Sequence, residues 1–343
     1  MVQSQSEIDR EWDGFVASNP HGYHEQSSLY AALRKEFGYD CLRAILRDDA
    51  GAIIGGAQVL YQATPAGRLG LVLRGPVASG DDPDIFARVV AQLEDLAWDN
   101  FLASIRVETF PAQKAAWDAL SAAGYSPSTA WTDKIESSFV DLTMSDDEIL
   151  ASLPSATRNQ VRGARRKGVE VIIGGKDDVP DFYDMLVKTA EYQGFPVFPM
   201  DYFTYMQEVF GSERAPIFIA KHDGKPISAV MCFVTGNRLY YCWGGMDRDP
   251  ELRKLNANRL LHFEAMRWGH AMGLDAYDLT GSNFFKNQLG HNTVTWPPVL
   301  RRHFGLGSSV HRSIVEGTSR SETLRELVSR GARRLGYQRR MPY

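Results

Sequence analysis

The segment "DLTGSNFFKNQLG", residues 278–290, places a lysine where a cation could take part in chemistry. Its first residue, Asp278, ends a strand-like run, and Lys286 follows the aromatic residues Phe284 and Phe285. A fixed positive charge at the end of a strand can stabilise negative charge that develops on a reacting oxygen. The alternative is a surface lysine whose alkyl chain lies over aromatic rings while its ammonium group reaches solvent. The residues alone leave both interpretations open.

Basic residues are concentrated in two segments of a chain whose formal net charge is −4. In "TRNQVRGARRKG", Arg158, Arg162 and Arg165 recur at helical spacing, so they are predicted to share one helix face. From Arg301 onward there are ten arginines and three glutamates. Such patches indicate either a solvated surface or a site for a phosphate-rich partner. The acidic net charge argues against indiscriminate nucleic-acid binding, and we expect no DNA partner.

Several other classes of site lack their minimal parts. The chain has no GxSxG, GxxxxGK[ST] or HExxH motif. Its three cysteines have no CxxC spacing, and His262 and His270 lie eight positions apart on a predicted helix, too far for one metal ion. No apolar run is long enough to span a membrane, and the first residues have no signal-peptide pattern. We therefore expect a cytoplasmic protein without a metal or cofactor.

Two pairs of similar segments recur at one separation. "RDDAGAIIGGAQVLYQ" and "KHDGKPISAVMCFVTG" are both a polar turn followed by a strand, about 170 residues apart. "LEDLAWDNFLASIRVETF" and "MRWGHAMGLDAYDLTGS" both run from a helix into a strand, with Glu108 and Asp278 at matching positions. A shared offset indicates a duplicated domain, and alternating helices and strands make each copy α/β.

The join is predicted near "DLTMSDDEIL", where Ser145 and Glu148 have the spacing of a capping box and open a helix. We therefore predict an N-terminal domain over residues 1–144. The C-terminal domain is predicted over residues 145–343 and ends in the basic tail.

An ordered set of segments resembles the FemABX peptidyltransferases. The segments are "EQSSLYAALRKEFG", "LRGP", "VDLTMSDDEILASLPSATRNQVRGARRKGVEV", "YYCWGGMD", "NRLLHFEAMRWGHAMGLDAYDLTG" and "FKNQLG". The resemblance implies two tandem acetyltransferase-like (GNAT) domains, here without the long helical insertion that some members carry. It also implies transfer of an amino acid from aminoacyl-tRNA to an amine, with amide formation and without a cofactor.

The same resemblance implies roles for residues on the donor side. Lys286 would stabilise the developing oxyanion or the leaving ribose oxygen, and Phe285 would stack on the terminal adenine of the tRNA. The arginines expected to bind tRNA phosphates are Arg158, Arg162, Arg301 and Arg302.

On the acceptor side, Glu108 would hold or deprotonate the incoming ammonium; its alternative role is a structural pair with Arg106 or Arg74. The residues expected to bind the acceptor are Arg34, Lys35, Arg74, Tyr241 and Trp243. For the last two, the alternative is packing in an aromatic strand. "FPVFPMDYF" lacks the second basic residue of the family, so the acceptor is either a peptidoglycan precursor (muropeptide) or a small amine of a natural-product pathway.

Two other functions remain open. An acyl-CoA-dependent N-acyltransferase of the same fold would carry a glycine-rich turn for the pyrophosphate, where this chain has "RKLNAN". A non-catalytic RNA-binding protein would bind tRNA whether or not it is charged.

Overall fold

The computed structural model describes residues 8–64, 67–111, 113–128, 136–290 and 292–305. The helices are α1 (Arg10–Ser18), α2 (Ser28–Glu36), α3 (Pro83–Asp99), α4 (Lys114–Ala122), α5 (Asp146–Ser152), α6 (Ser155–Arg166), α7 (Val179–Gln193), α8 (Met200–Arg214), α9 (Pro250–Arg253) and α10 (Ala257–Ala271). The strands of the N-terminal part are β1 (Asp40–Arg47), β2 (Ile53–Thr64), β3 (Gly67–Val72), β4 (Val77–Ala78), β5 (Leu102–Val107) and β6 (Ser126–Pro127). The remaining strands are β7 (Glu136–Asp141), β8 (Glu170–Gly174), β9 (Ile217–His222), β10 (Lys225–Thr235), β11 (Arg238–Met246), β12 (Ala276–Asp278), β13 (Asn292–Thr295) and β14 (Leu300–His303).

The chain divides into two compact units, each built on its own sheet. The first unit holds the described residues before position 129 and those from 296 to 305, and its sheet has the order β1-β2-β3-β5-β14-β6, with β4 beside β2. Strands β1, β2 and β3 are antiparallel, whereas β3 and β5 are parallel. Helix α3 packs on this sheet through Phe86, Val89 and Leu93.

The second unit holds the described residues from 136 to 295, and its sheet has the order β13-β7-β12-β11-β10-β9-β8. Strands β9, β10 and β11 are antiparallel and β11 and β12 are parallel, so β9 to β12 repeat the pattern of β1, β2, β3 and β5. At β11, a Cβ atom on Gly245 would lie 1.9 Å from the carbonyl oxygen of Met185. Only glycine allows α7 to approach the sheet so closely.

The observed division differs from the predicted domains 1–144 and 145–343. Strand β7 precedes the predicted boundary but pairs with β12 and β13, so it completes the second sheet. Strand β14 follows the second unit in sequence but pairs with β5 and β6 of the first sheet. Each sheet therefore takes an inner strand from a part of the chain that the prediction assigned to the other domain. The basic tail after residue 305 lies outside the described residues.

Local signals explain where several helices begin. Asp82 caps α3 by accepting from the Asp84 N–H, and Pro83 occupies the first turn, where a missing N–H costs nothing. Ser145 and Glu148 form the predicted capping box at α5. No helix in the described part of the chain combines the length and apolar character needed to cross a membrane.

Candidate active site

Lys286 lies in a turn that follows β12 in the second unit. Ser137 of β7 donates a hydrogen bond to Asp278 at the end of β12, and the Thr280 hydroxyl donates to the Tyr241 carbonyl. Thr280 has a left-handed backbone (φ 47°), which turns the chain out of the sheet. The segment leading to Lys286 is thus fixed to both neighbouring strands.

The ammonium group of Lys286 is held close to the end of β12. Its Nζ donates to the Thr280 carbonyl at 3.3 Å and lies 5.1 Å from the centre of the Tyr241 ring. Burial lowers the pKa of Lys286, while Asp278 and Cys242 oppose the shift. A partly desolvated ammonium interacts with a nearby negative charge more strongly than a solvated one. The position therefore suits stabilisation of an oxyanion.

The two phenylalanines before Lys286 differ in environment. Arg259 donates to the Phe285 carbonyl at 3.2 Å, and its guanidinium carbon lies 4.2 Å from the Phe285 ring centre. The His262 ring lies 5.4 Å away, and Phe285 packs against the core of the second unit. Phe284, in contrast, is 81% exposed. Phe284 therefore presents a more open face for a base to stack on than Phe285 does.

A buried polar network lies beneath Phe285. The His262 ring is fully buried, its Nδ1 lies 2.8 Å from the Tyr277 hydroxyl, and the Cys232 sulfur lies 3.9 Å from that hydroxyl. Burial, reinforced by Lys286 and Arg259, lowers the pKa of His262 to about 3, so the ring is neutral at physiological pH. A neutral imidazole adds no positive charge beside Lys286.

The aromatic residues of β11 have different surroundings. Tyr241 contacts Lys286 and packs edge-on against His262, with ring centres 5.0 Å apart. Trp243 packs against Phe203 and Tyr202 at 5.5 and 6.1 Å. Tyr241 is thus part of the Lys286 site, whereas the contacts of Trp243 are those of a packed aromatic cluster.

Helix α6 carries the predicted arginine face, but its members are not equivalent. Arg158 donates to the carbonyls of Ala151 and Leu153 at 3.1 and 2.5 Å, and Arg165 forms a 2.5 Å ion pair with Glu264. Arg162 is exposed. The guanidinium groups of Arg158 and Arg165 have structural partners, so Arg162 is the best placed of the three to bind a phosphate.

A cluster of charged residues lies at the end of β5, the strand of the first unit that corresponds to β12. Glu108 follows β5, and Arg106 binds its Oε1 at 2.5 Å while Arg74 lies 3.7 Å from its Oε2. Arg74 also lies 3.8 Å from Oε2 of Glu25, a residue that sequence reasoning missed. Both structural pairs proposed for Glu108 are therefore present.

Aromatic rings and backbone geometry fix Arg74. Its guanidinium carbon lies 3.8 Å from the Trp296 ring centre and 5.7 Å from that of Tyr23. Arg74 has a left-handed backbone (φ 53°), which is strained for a residue with a side chain. Strain of this kind persists only where surrounding contacts enforce it, and it concentrates at functional sites.

The expected acceptor residues of α2 separate into a buried and an exposed member. Arg34 is 6% exposed, lies 4.0 Å from the Tyr39 ring centre and donates to the Tyr30 hydroxyl at 3.2 Å. Lys35 is exposed. Because its guanidinium is enclosed by tyrosines, Arg34 contributes to packing, and Lys35 is the more accessible cation.

The predicted tRNA-binding arginines of β14 belong to the first unit. Arg302 forms a 2.5 Å ion pair with Glu94, and Arg301 lies opposite Arg106 in the β14–β5 ladder. The structure thus assigns Arg301 and Arg302 to a different unit from Arg158 and Arg162.

The residues that sequence reasoning missed come from distant segments. Glu25 lies before α2, Trp296 follows β13, and Arg259 lies on α10. A strand-end position indicated Glu108 and Lys286, but nothing local to Glu25, Trp296 or Arg259 indicated their partners.

Comparisons with known proteins agree on one fold. A family model described as an acetyltransferase (GNAT) domain matches residues 155–287, within the second unit. The crystal structure of FemX superposes with a TM-score of 0.79 at 17% identity, covering 92% of this chain and 99% of FemX. The fold is accordingly two tandem GNAT-like domains, and the part of the chain that the structure describes contains no long helical insertion.

Curated relatives extend the similarity to sequence. The UDP-N-acetylmuramoylpentapeptide-lysine N(6)-alanyltransferase of Weissella viridescens is 26% identical over 285 residues, covering 79% of this chain and 83% of the relative. The lipid II:glycine glycyltransferase of Staphylococcus aureus is 24% identical over 231 residues, covering 63% of this chain and 54% of the relative. The chain thus matches about half the length of the staphylococcal enzyme.

Proposed function

The chain belongs to the FemABX family of aminoacyltransferases, and from this we propose that it transfers an amino acid from aminoacyl-tRNA to an amine of a peptidoglycan precursor. The bond formed is an amide, and the bond broken is the ester to the tRNA ribose. Because aminoacyl-tRNA is made in the cytoplasm, we propose the cytoplasm as the site of the reaction.

The observation that carries this proposal is the position of Lys286. An ester-linked amino acid is already activated, so the transfer needs neither ATP nor an enzyme nucleophile. Its barrier is a tetrahedral intermediate with negative charge on oxygen, followed by departure of the ribose oxygen. The ammonium of Lys286, fixed by Thr280 and Tyr241 and partly removed from water, supplies a positive charge suited to that step.

Exposed groups of the second unit support a tRNA donor. Phe284 offers a free ring to the terminal adenine, and Arg162 offers a cation to the backbone phosphates. We assign the stacking role to Phe284 in place of Phe285, whose ring already contacts Arg259 and His262.

The names of the relatives favour the lysine N6 amine of a muramoyl pentapeptide, or lipid II, as the acceptor. In the first unit, the carboxylates Glu25 and Glu108 suit recognition of an ammonium group. The segment from Phe195 to Phe203 contains no lysine or arginine for a diphosphate, which keeps a small amine as the alternative acceptor.

One observation favours an acyl-CoA donor as a second candidate function: the matching family model is that of acetyltransferases. At the N-terminus of α10, however, Asn258 accepts from the Ser228 hydroxyl at 3.3 Å, and the Asn256 amide donates to the Lys254 carbonyl at 3.2 Å. With both side chains bonded internally and no glycine in the turn, this terminus is a poor cradle for a pyrophosphate.

The test is transfer from a pool of radiolabelled aminoacyl-tRNAs to UDP-linked muropeptide, lipid II or small amines, measured as acid-stable product. We expect transfer that RNase abolishes and that omission of acetyl-CoA leaves unchanged. Turnover of purified acyl-CoA without tRNA would overturn the proposed donor. The acceptor that supports transfer distinguishes the cell-wall precursor from the small amine.

A further inference from the structure

Glu25 is a carboxylate on a rigid support in the first unit. It lies in a short 3₁₀ turn, His24–Gln26, between α1 and α2. The Gln58 side chain donates to the Glu25 carbonyl at 3.0 Å, and the neighbouring Gln26 side chain donates to the Leu73 carbonyl at 2.6 Å and accepts from the Gln58 N–H at 2.7 Å. These bonds fix the backbone of the turn to β2 and to the chain after β3.

Glu25 and Glu108 are engaged differently by the arginines around them. Glu108 has Arg106 at 2.5 Å and Arg74 at 3.7 Å, whereas within the described part of the chain Glu25 has only Arg74 at ion-pair distance, 3.8 Å away. Among the described residues, no side-chain or backbone donor makes a hydrogen bond to the Glu25 carboxylate. Its oxygens therefore retain lone pairs for a ligand, although the side chain is only 20% exposed.

The surroundings of Glu25 raise its pKa into the physiological range. Burial raises the pKa of Glu25 to about 7; Glu108 adds to the shift, and Arg74, Arg34 and Arg106 oppose it. His24 beside it is neutral, because burial and Arg74 lower its pKa well below the ordinary value. A carboxylate with this pKa can take a proton at neutral pH and release it to water.

We propose that Glu25 is the general base that deprotonates the acceptor amine, while Glu108 binds the same amine as an ammonium. The inference rests on the proposed function and adds a catalytic residue to it. The acceptor arrives as R–NH₃⁺, because an alkyl amine has an ordinary pKa near 10. Glu25 takes one proton, and the neutral nitrogen then forms a bond to the ester carbonyl carbon.

The proton balance closes with a single proton released per turnover. When the carbon–oxygen bond to the ribose breaks, the ribose oxygen takes a second proton that started on the nitrogen. The products are the amide, a free ribose hydroxyl and the proton held by Glu25, which exchanges with water. No oxidant, reductant or metal enters the balance.

Glu25→Gln tests the proposal, because the amide keeps the shape of the side chain but cannot accept the proton. Single-turnover rates with saturating acceptor are measured from pH 5.5 to 8.5. The base must be ionised, so the wild-type rate should rise about tenfold per pH unit below pH 7 and level off above it. Glu25→Gln should fall about 100-fold at pH 8 and should lose the levelling near pH 7, because its amine loses the proton only to solvent and the rate keeps rising toward the amine pKa near 10.

Two further variants separate a base from a structural residue. Glu25→Asp keeps a carboxylate, so its rate should be reduced but should still level off at high pH, as the wild-type rate does. Glu36→Gln, which removes an exposed glutamate at the end of α2, should match the wild type. Equal losses at every pH in both Glu25 variants would assign Glu25 to folding alone and overturn the proposal.

A direct titration gives a readout independent of activity. In protein labelled with ¹³C at glutamate carboxyls, the signal absent from Glu25→Gln should titrate near pH 7; titration at the ordinary glutamate value would overturn the proposal. If the wild type transfers nothing from any aminoacyl-tRNA, the proposed function itself fails. If it transfers normally and Glu25→Gln keeps its rate and pH profile, only the role of Glu25 fails.

Discussion

At the scale of single residues, Lys286 carries the clearest prediction. If its ammonium stabilises charge that exists only in the transition state, Lys286→Ala should lower kcat by about 100-fold or more with the fold intact. Lys286→Arg should recover part of the loss, because a planar guanidinium cannot take the position of a compact ammonium. Steady-state kinetics with circular dichroism as the folding control would check this. Wild-type turnover from folded Lys286→Ala would remove the catalytic role.

The neighbouring phenylalanines make a matched pair of variants. Phe284→Ala should raise the KM for the charged tRNA with little change in thermal stability, because the exposed ring is free to stack on a base. Phe285→Ala should lower the free energy of unfolding by about 2 kcal/mol, because its ring packs against Arg259, His262 and the core. Transfer kinetics with charged tRNA, together with inhibition by uncharged tRNA that has or lacks the terminal adenosine, give the measurement. An unchanged KM for Phe284→Ala would return the stacking role to Phe285.

At the scale of secondary-structure elements, helix α6 is predicted to contribute one main phosphate contact. Arg162→Ala should flatten the dependence of tRNA binding on salt by about one unit of the log–log slope, because one released counterion is lost. Arg158→Ala should instead destabilise the protein by about 1 kcal/mol, since its guanidinium satisfies the carbonyls at the end of α5. Lys225→Ala, an exposed cation at the start of β10, is the control for net charge. Equal slopes for Arg162→Ala and this control would show that α6 is a solvated surface that makes no phosphate contact.

Local sequence predicted those elements whose signals lie within a few residues. The capping box at Ser145 opened α5 as expected, and Glu108 and Asp278 mark matching strand ends about 170 residues apart. Strand pairing could not be read in the same way, because β7 and β14 find partners far along the chain. The same limit applies to the candidate site. Lys286 could be predicted from its position after a strand, whereas the contacts of Glu25 and Trp296 with Arg74 join segments that are distant in sequence and could not be predicted. Arg34 shows that a charged residue type does not fix exposure, since two tyrosines enclose it.

At the scale of the whole molecule, β14 follows the second unit in sequence but belongs to the sheet of the first unit, and this has a measurable consequence. Strand β14 brings Leu300, which is fully buried, into the core of the first unit. Leu300→Ala should therefore destabilise that unit by about 2 to 5 kcal/mol, through lost burial and the cavity that remains. Hydrogen exchange should become faster in the amides of β5 and β6, which pair with β14, and should stay unchanged in β7, β11 and β12. Val294→Ala on β13, which pairs with β7, is the reciprocal control and should accelerate exchange in the second unit. If Leu300→Ala instead accelerated exchange in β11 and β12, residues after 145 would act as one cooperative domain, as the sequence predicted, and the observed division would be overturned.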